Sequence, residues 1–150
     1  MELEKFKKLI SQSNKIALDS AVFIYFLENN PKFGGMSEAI FELAENDKLK
    51  IACSLLISIE VLTGYRKVKD EVAEHKFKSI LKDFSNIEIH DFPEKLVNQT
   101  VNLRVKYNIK TPDAIHLATA IEHKADFFIT NDKQLKNVKE IKVLYLGDYL

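Results

Sequence analysis

Short apolar runs alternate along this chain with longer segments in which apolar residues recur every three or four positions. The short runs are typical of buried strands and the longer segments of amphipathic helices. The predicted strands are 15–18, 51–53, 87–89, 126–129 and 141–144. The predicted helices are 2–12, 21–27, 36–44, 55–64, 70–84, 93–107 and 111–124, with a helical turn at 132–135. Gly64 is expected to end the fourth helix and Pro93 to open the sixth.

The alternation of strands with helices predicts an α/β protein. Strands joined through helices make right-handed crossovers, which leave neighbouring strands parallel and cover both faces of the sheet. We therefore expect a three-layer α/β/α fold with a central parallel sheet. No repeat or Gly/Ser-rich linker interrupts the chain, so residues 1–150 are expected to form one domain, with 1–14 as an additional N-terminal amphipathic helix.

Composition narrows the class of protein and of site. The single cysteine, Cys53, excludes an internal disulfide framework and a multi-cysteine zinc site. No apolar stretch approaches the roughly 20 residues that cross a bilayer, and no secretory signal is visible, so we expect a cytoplasmic protein with no membrane partner. The 22 basic and 22 acidic residues balance, which argues neither for nor against a nucleic-acid substrate.

Four carboxylates are placed to meet at one edge of the sheet. Asp19 directly follows a strand, Asp132 comes after Phe128-Ile129-Thr130-Asn131, and Asp113 lies in the first turn of a helix that begins at that edge. The fourth, Glu60, interrupts an otherwise apolar helix. Taken singly, the three aspartates could be helix caps or first-turn residues and Glu60 a solvated position. Parallel strands share a direction, however, so the residues that follow them lie at the same edge, where α/β sites are found.

Carboxylates gathered in this way raise each other's pKa unless protons or a cation compensate them. Oxygen ligands with few imidazoles suit Mg²⁺ or Mn²⁺ rather than zinc. Such an ion activates water and stabilises the charge on a phosphate under attack, which is the chemistry of phosphodiester hydrolysis. Asp19, Glu60, Asp113 and Asp132 are therefore the predicted metal ligands and catalytic residues.

The segments that carry these acids resemble the four motifs of PIN domains, in order. The first is Ala17-Leu18-Asp19-Ser20, and the second is the apolar helix 54–64 around Glu60. The third is Thr111-Pro112-Asp113-Ala114, and the fourth is 128–132, which ends in Thr130-Asn131-Asp132. The resemblance covers residues 15–146 and is closest to the toxins of VapBC-type toxin–antitoxin pairs.

The resemblance implies more than the pattern itself. It implies a metal-dependent endoribonuclease that cleaves RNA with Mg²⁺ or Mn²⁺ and leaves a 3′-hydroxyl. A homodimer and a protein antitoxin whose C-terminal segment fills the active site are also implied. Ser20, Thr130 and Asn131 take supporting positions. Ala21 departs from the family, where asparagine is frequent, so support at Asp19 is expected to be weaker.

Two other functions stay open on the sequence. One is a non-catalytic PIN-like module that binds RNA or protein, and the other is a phosphotransfer protein phosphorylated on Asp19. Against the second, Ala21 stands where a haloacid-dehalogenase-type enzyme needs a second aspartate.

His116, one turn after Asp113, is expected to hydrogen bond and pack beside the site rather than bind metal. His123 is expected to interact with a helix dipole, and His90 has no recognisable partner.

Overall fold

A five-stranded parallel sheet organises the residues that the structure, a computed structural model, describes, which are 2–150. The strand order across the sheet is β3-β2-β1-β4-β5, so β1 is central. The strands are β1 (Lys15–Leu18), β2 (Lys50–Ser54), β3 (Ile87–His90), β4 (Phe127–Thr130) and β5 (Val143–Tyr145). All four strand pairings are parallel, as the alternation of strands and helices predicts.

Helices cover both faces of this sheet, which confirms the three-layer α/β/α class. They are α1 (Glu2–Ser11), α2 (Ser20–Leu27), α3 (Gly34–Glu45), α4 (Leu56–Lys67), α5 (Glu71–Asp83), α6 (Val97–Tyr107) and α7 (Thr111–Glu122). Short 3₁₀ turns occupy Glu94–Leu96, Lys133–Asn137 and Leu146–Tyr149. No helix in residues 2–150 has the length and apolar character needed to cross a membrane.

Alternate residues of the central strands divide the core into two layers. Ile16 and Leu18 of β1 point into the larger layer, which α1 to α5 complete. Ala17 of β1 and Phe128 of β4 belong to the second layer, together with residues of α6 and α7. This alternation is the period-two geometry of a strand that is buried on both faces.

The N-terminal helix α1 packs on the core of its own chain. Phe6 and Ile10 are fully buried in the larger layer. The Phe6 ring lies edge-on to Tyr149, with the ring centroids 5.4 Å apart. The apolar face of α1 is thus covered by α3 and the C-terminal turn.

The helix around Glu60 is longer than predicted. Gly64 does not end α4, which continues to Lys67, and a Cβ atom at Gly64 would meet nothing within 4 Å. The chain turns instead at Lys69, a residue with φ of 58°. The Lys69 and Asp70 backbone N–H groups donate to the carbonyls of Arg66 and Tyr65. These bonds satisfy the last carbonyls of the helix, which is the function that we had assigned to a glycine.

Two other predicted boundaries are also wrong in detail. Pro93 precedes a 3₁₀ turn, and α6 begins only at Val97. The last strand begins at Val143 rather than 141, because Ile141 turns into the second core layer before pairing starts.

Candidate active site

The Asp19 carboxylate lies between β1 and β4. The Asp19 N–H donates to the Ile129 carbonyl at 3.0 Å, which continues the β1–β4 pairing by one residue. Asp19 Oδ1 accepts from the Ser20 N–H at 2.8 Å, and Oδ2 accepts from the Thr130 hydroxyl at 2.9 Å. Asp19 is therefore both the N-cap of α2 and a carboxylate oriented by two elements. Ser20 contributes its backbone N–H to this contact, a group that other residues also carry.

The segment Thr130-Asn131-Asp132 leaves β4 beside Asp19. The Thr130 hydroxyl also accepts from the Asp132 N–H at 3.0 Å, so Asp19 and Asp132 are linked through one oxygen. Asp132 Oδ1 accepts from the Gln134 N–H and caps the following 3₁₀ turn. Asn131 Nδ2 donates to the Tyr25 hydroxyl at 2.8 Å. Sequence analysis did not identify Tyr25, because its position in an apolar helix predicts only core packing.

Glu60 and His116 bring α4 and α7 together at the same edge. Glu60 Oε1 lies 2.5 Å from His116 Nε2, a hydrogen bond in which the ring nitrogen donates to the carboxylate. The His116 side chain is 1% exposed, whereas Glu60 keeps 32% of its side chain accessible. His116 Nδ1 is buried and has no hydrogen-bond partner within residues 2–150. The ring's polar contact is therefore directed at the acidic site.

The pKa of Asp113 depends on its burial and on the negative charge of the other acids. It lies in the first turn of α7, one turn before His116. Burial, followed by the charges of Asp19 and Asp132, raises the pKa of Asp113 to about 6, and Glu60 acts in the same direction. His116 opposes this shift only in part. The four acids predicted from the sequence thus share one electrostatic environment, in which His116 compensates the negative charge only in part.

The donor atoms of this site fit a divalent cation. One ligand atom each from Asp19, Glu60 and His116 lies within 4.8 Å of the other two. Within residues 2–150, Asp113 and Asp132 do not join this tightest group, although their charges act on the same site. The sequence prediction of an all-carboxylate quartet did not include the imidazole. The signal that could have revealed it is the three-residue spacing of Asp113 and His116, which places both on one helical face.

Two histidines away from the site have partners that the sequence did not reveal. His90 bonds Glu88 Oε1 through Nε2 at 3.0 Å, and its ring stacks on His123 with centroids 3.5 Å apart. The expectation that His90 lacks a partner is therefore wrong. His123 follows α7 directly as its C-cap, where a dipole interaction was expected. Cys53 is fully buried, and this burial raises the pKa of its thiol to about 12, so no thiolate is available to a cation.

Solved structures with this fold include chains of toxin–antitoxin complexes. A chain of VapBC2 from Rickettsia felis, bound to a DNA fragment from their promoter, has a TM-score of 0.70 and 23% identity, covering 87% of this chain and 98% of that chain. A chain of a Klebsiella pneumoniae toxin–antitoxin complex has a TM-score of 0.65 and 23% identity, covering 87% and 97%. The sarcin-ricin-loop-cleaving toxin VapC20 of Mycobacterium tuberculosis has a TM-score of 0.64 and 13% identity, covering 85% and 98%.

Sequence comparison gives the family. A search of curated proteins finds no significant match. The profile of the PIN domain, by contrast, matches residues 16–141, a span that runs from β1 to the residues just before β5. It includes Asp19, Glu60, Asp113, His116 and Asp132. The chain therefore belongs to the PIN domain family.

Proposed function

We propose that this protein is a metal-dependent endoribonuclease that hydrolyses RNA phosphodiesters with Mg²⁺ or Mn²⁺. The observation that carries the proposal is the convergence of Asp19, Glu60, Asp113 and Asp132 at one sheet edge, where burial and the neighbouring negative charges raise the pKa of Asp113 to about 6. An acidic site of this kind repels an anionic phosphodiester unless a cation reverses the local charge.

We further propose that the nuclease is a cytoplasmic toxin held silent by a protein antitoxin. The supporting observation is that its structural neighbours include chains of toxin–antitoxin complexes and, separately, a toxin named as cleaving the sarcin-ricin loop. A single domain over residues 1–150 is part of the proposal.

The residues of the site would have two roles, binding the cation and holding its ligands in place. Asp19, Glu60, Asp113 and Asp132 would hold the cation and set its charge. A bound Mg²⁺ or Mn²⁺ would supply Lewis acidity, which activates water and offsets the charge that builds on the phosphate. The Ser20 N–H and the Thr130 hydroxyl fix both oxygens of Asp19. Asn131 fixes the segment that carries Asp132 by donating to Tyr25. Ala21 contributes no polar group, and Thr130 provides support for Asp19 from the neighbouring strand.

The decisive test is cleavage by the purified protein free of antitoxin. We expect it to cleave single-stranded RNA with Mg²⁺ or Mn²⁺ and to stop in EDTA. Asp19→Asn should lower the cleavage rate by at least about a hundredfold, because it removes a full ligand charge. Asp83→Asn is the matched control, since Asp83 is an exposed aspartate at the end of α5.

Absence of cleavage with either metal, in a sample whose folding is verified, would contradict the nuclease proposal. RNA binding without cleavage would then favour the non-catalytic module. Expression of the wild type should be toxic, and expression of Asp19→Asn harmless. Equal toxicity of the two would argue that this site is not responsible.

A homodimer is also part of the proposal. Because the apolar face of α1 is covered by its own chain, this helix is not available for the dimer interface. The helix α6 carries a stripe of exposed valines that could form the interface. Val97 is 44%, Val101 49% and Val105 79% exposed. These residues are four apart and therefore lie along one side of the helix. A twofold axis would place this stripe against its own copy.

A further inference from the structure

The closest set of candidate ligand atoms in residues 2–150 contains an imidazole. Asp19 and Glu60 each contribute a carboxylate oxygen, His116 contributes a ring nitrogen, and the three atoms lie within 4.8 Å of one another. Asp113 and Asp132 are outside this set. The constellation thus differs from the all-oxygen site that the sequence predicts.

The His116 ring is held where its Nε2 faces the other two donors. Its side chain is almost fully buried in the helix that begins with Asp113, and Nε2 contacts Glu60 at 2.5 Å. On the other side of the ring, Nδ1 meets neither a donor nor an acceptor in residues 2–150. In the metal-free site Nε2 carries the proton that it donates to Glu60, and no donor at Nδ1 within the described part of the chain opposes the shift of that proton to Nδ1 when a cation replaces it at Nε2. The neutral ring can carry its proton on Nδ1 and present the Nε2 lone pair to a cation.

The donor set has consequences for which cation binds. Mg²⁺ strongly prefers oxygen ligands and retains several waters. Transition-metal ions accept imidazole readily, and their affinity for nitrogen donors rises along the first-row series from Mn²⁺. One nitrogen among two carboxylates therefore favours Mn²⁺ over Mg²⁺.

We propose that His116 Nε2 is a direct ligand of the catalytic cation and that it makes the site selective for Mn²⁺ over Mg²⁺. This inference rests on the proposed metal-dependent function and specifies its ion. The competing role is purely positional, in which His116 only orients Glu60 through their hydrogen bond. The two roles differ in a measurable way, since only a ligand places a nitrogen nucleus in contact with the ion.

The direct test is electron spin echo spectroscopy of Mn²⁺ bound to the wild-type protein. A coordinated imidazole nitrogen modulates the echo at ¹⁴N frequencies, and the pattern changes when the protein is prepared with ¹⁵N-histidine. We expect both the ¹⁴N modulation and its change on labelling. This measurement needs no substitution at His116, so it does not depend on how well a variant folds.

Variants assign the signal to one histidine. His116→Gln keeps a side-chain amide that can donate to Glu60 but removes the imidazole. We expect it to lose the histidine modulation and to bind Mn²⁺ about tenfold more weakly, with Mg²⁺ affinity changed less than about threefold. His75→Gln is the matched control, because His75 is exposed on α5 and is absent from the donor set. It should keep the wild-type signal and both affinities.

The outcomes separate this inference from the proposed function. Bound Mn²⁺ without histidine modulation would overturn direct ligation, and an equal loss of both affinities in His116→Gln would overturn the selectivity for Mn²⁺. Either result would leave the nuclease proposal intact. Histidine modulation in a protein that cleaves no RNA would support the ligand assignment and overturn the nuclease proposal. No Mn²⁺ binding to the folded protein would overturn this inference and count against the metal-dependent function.

Discussion

A single hydroxyl connects the two aspartates that follow the central strands. Thr130 donates to Asp19 Oδ2 and accepts from the Asp132 N–H, so its side chain sets the position of both. The Thr130 residue is fully buried, which restricts the rotation of that hydroxyl. Such outer contacts orient ligands without touching the ion.

We predict that Thr130→Val weakens Mn²⁺ binding and lowers the cleavage rate by about tenfold, because the nearly isosteric change removes only the hydroxyl. Titration with Mn²⁺ and single-turnover cleavage would measure the two effects. Thr119→Val is the control: it removes a buried hydroxyl that bonds the Ile115 carbonyl within α7. Equal losses in both variants would show that Thr130 acts through general stability.

The pKa of Asp113 predicts how the metal-free protein responds to pH. Because the folded-state pKa is about 6 and the ordinary value is 3.8, the folded state binds more protons than the unfolded chain between these values. The free energy of unfolding therefore falls as pH rises from about 4 to about 6, and the loss is complete above that window.

We predict that Asp113→Asn removes this loss of stability between about pH 4 and pH 6. In EDTA at pH 7 the variant should be about 1 kcal/mol more stable than wild type, a value discounted because Asp113 is only half-buried. Thermal melts at pH 4 and pH 7 would show the gain only at the higher pH. The variant should also respond less to Mn²⁺, since one stabilising charge for the ion is gone. A gain of equal size at both pH values would contradict the electrostatic explanation.

Among the helices, α4 shows how a local signal can mislead. Glycine just after an apolar periodic segment usually indicates a helix end, yet Gly64 lies inside α4. The three residues of α4 that follow Gly64 are Tyr65, which is 6% exposed, and the exposed cationic residues Arg66 and Lys67. Burial of Tyr65 extends the helix by another turn.

We predict that Gly64→Ala stabilises the protein by about 0.5–1 kcal/mol, because alanine restricts the unfolded chain and lies in open space in the helix. The melting temperature should rise by about 1–4 °C. Gly147→Ala is the informative contrast, since its Cβ would displace the outer end of the Tyr145 ring and no comparable gain in stability is expected. A decrease in stability for Gly64→Ala would mean that this surface of α4 is covered by a second molecule.

On the scale of the whole molecule, the exposed large apolar side chains are spread over several elements, and α6 carries three of them. Besides the valine stripe of α6, Ile59 of α4 is 60% exposed. By contrast, the apolar face of α1 is buried in the larger core layer, where Phe6 and Ile10 are 0% exposed. This distribution makes α6 the face on which we expect self-association.

We predict that the wild type is a dimer at micromolar concentration and that Val101→Asp dissociates it, because a charge would be buried at the centre of the α6 stripe. Light scattering after size-exclusion chromatography would give the mass of each. Val72→Asp, on the exposed side of α5, should leave the dimer unchanged. A wild-type monomer at high micromolar concentration would contradict the homodimer.

Much of the fold follows from the sequence by itself, because it depends on local periodicity and on one geometric rule. Apolar runs of three to five residues predict the strands, and the helices between them require parallel pairing. The residues after parallel strands must meet at one edge. Asp19 and Asp132 could therefore be placed at the same edge, where the Thr130 hydroxyl links them.

Only the tertiary structure decided the contacts between helices. Glu60 and His116 are 56 positions apart on α4 and α7, and their hydrogen bond depends on the angle and rotation at which these helices pack. The stack of His90 on His123 depends in the same way on where α7 ends over β3. Periodicity identifies the buried face of each helix but leaves its partner across the sheet unspecified, since many helix pairings bury the same apolar area. The acids could thus be named from the sequence, whereas the imidazole beside them required the fold.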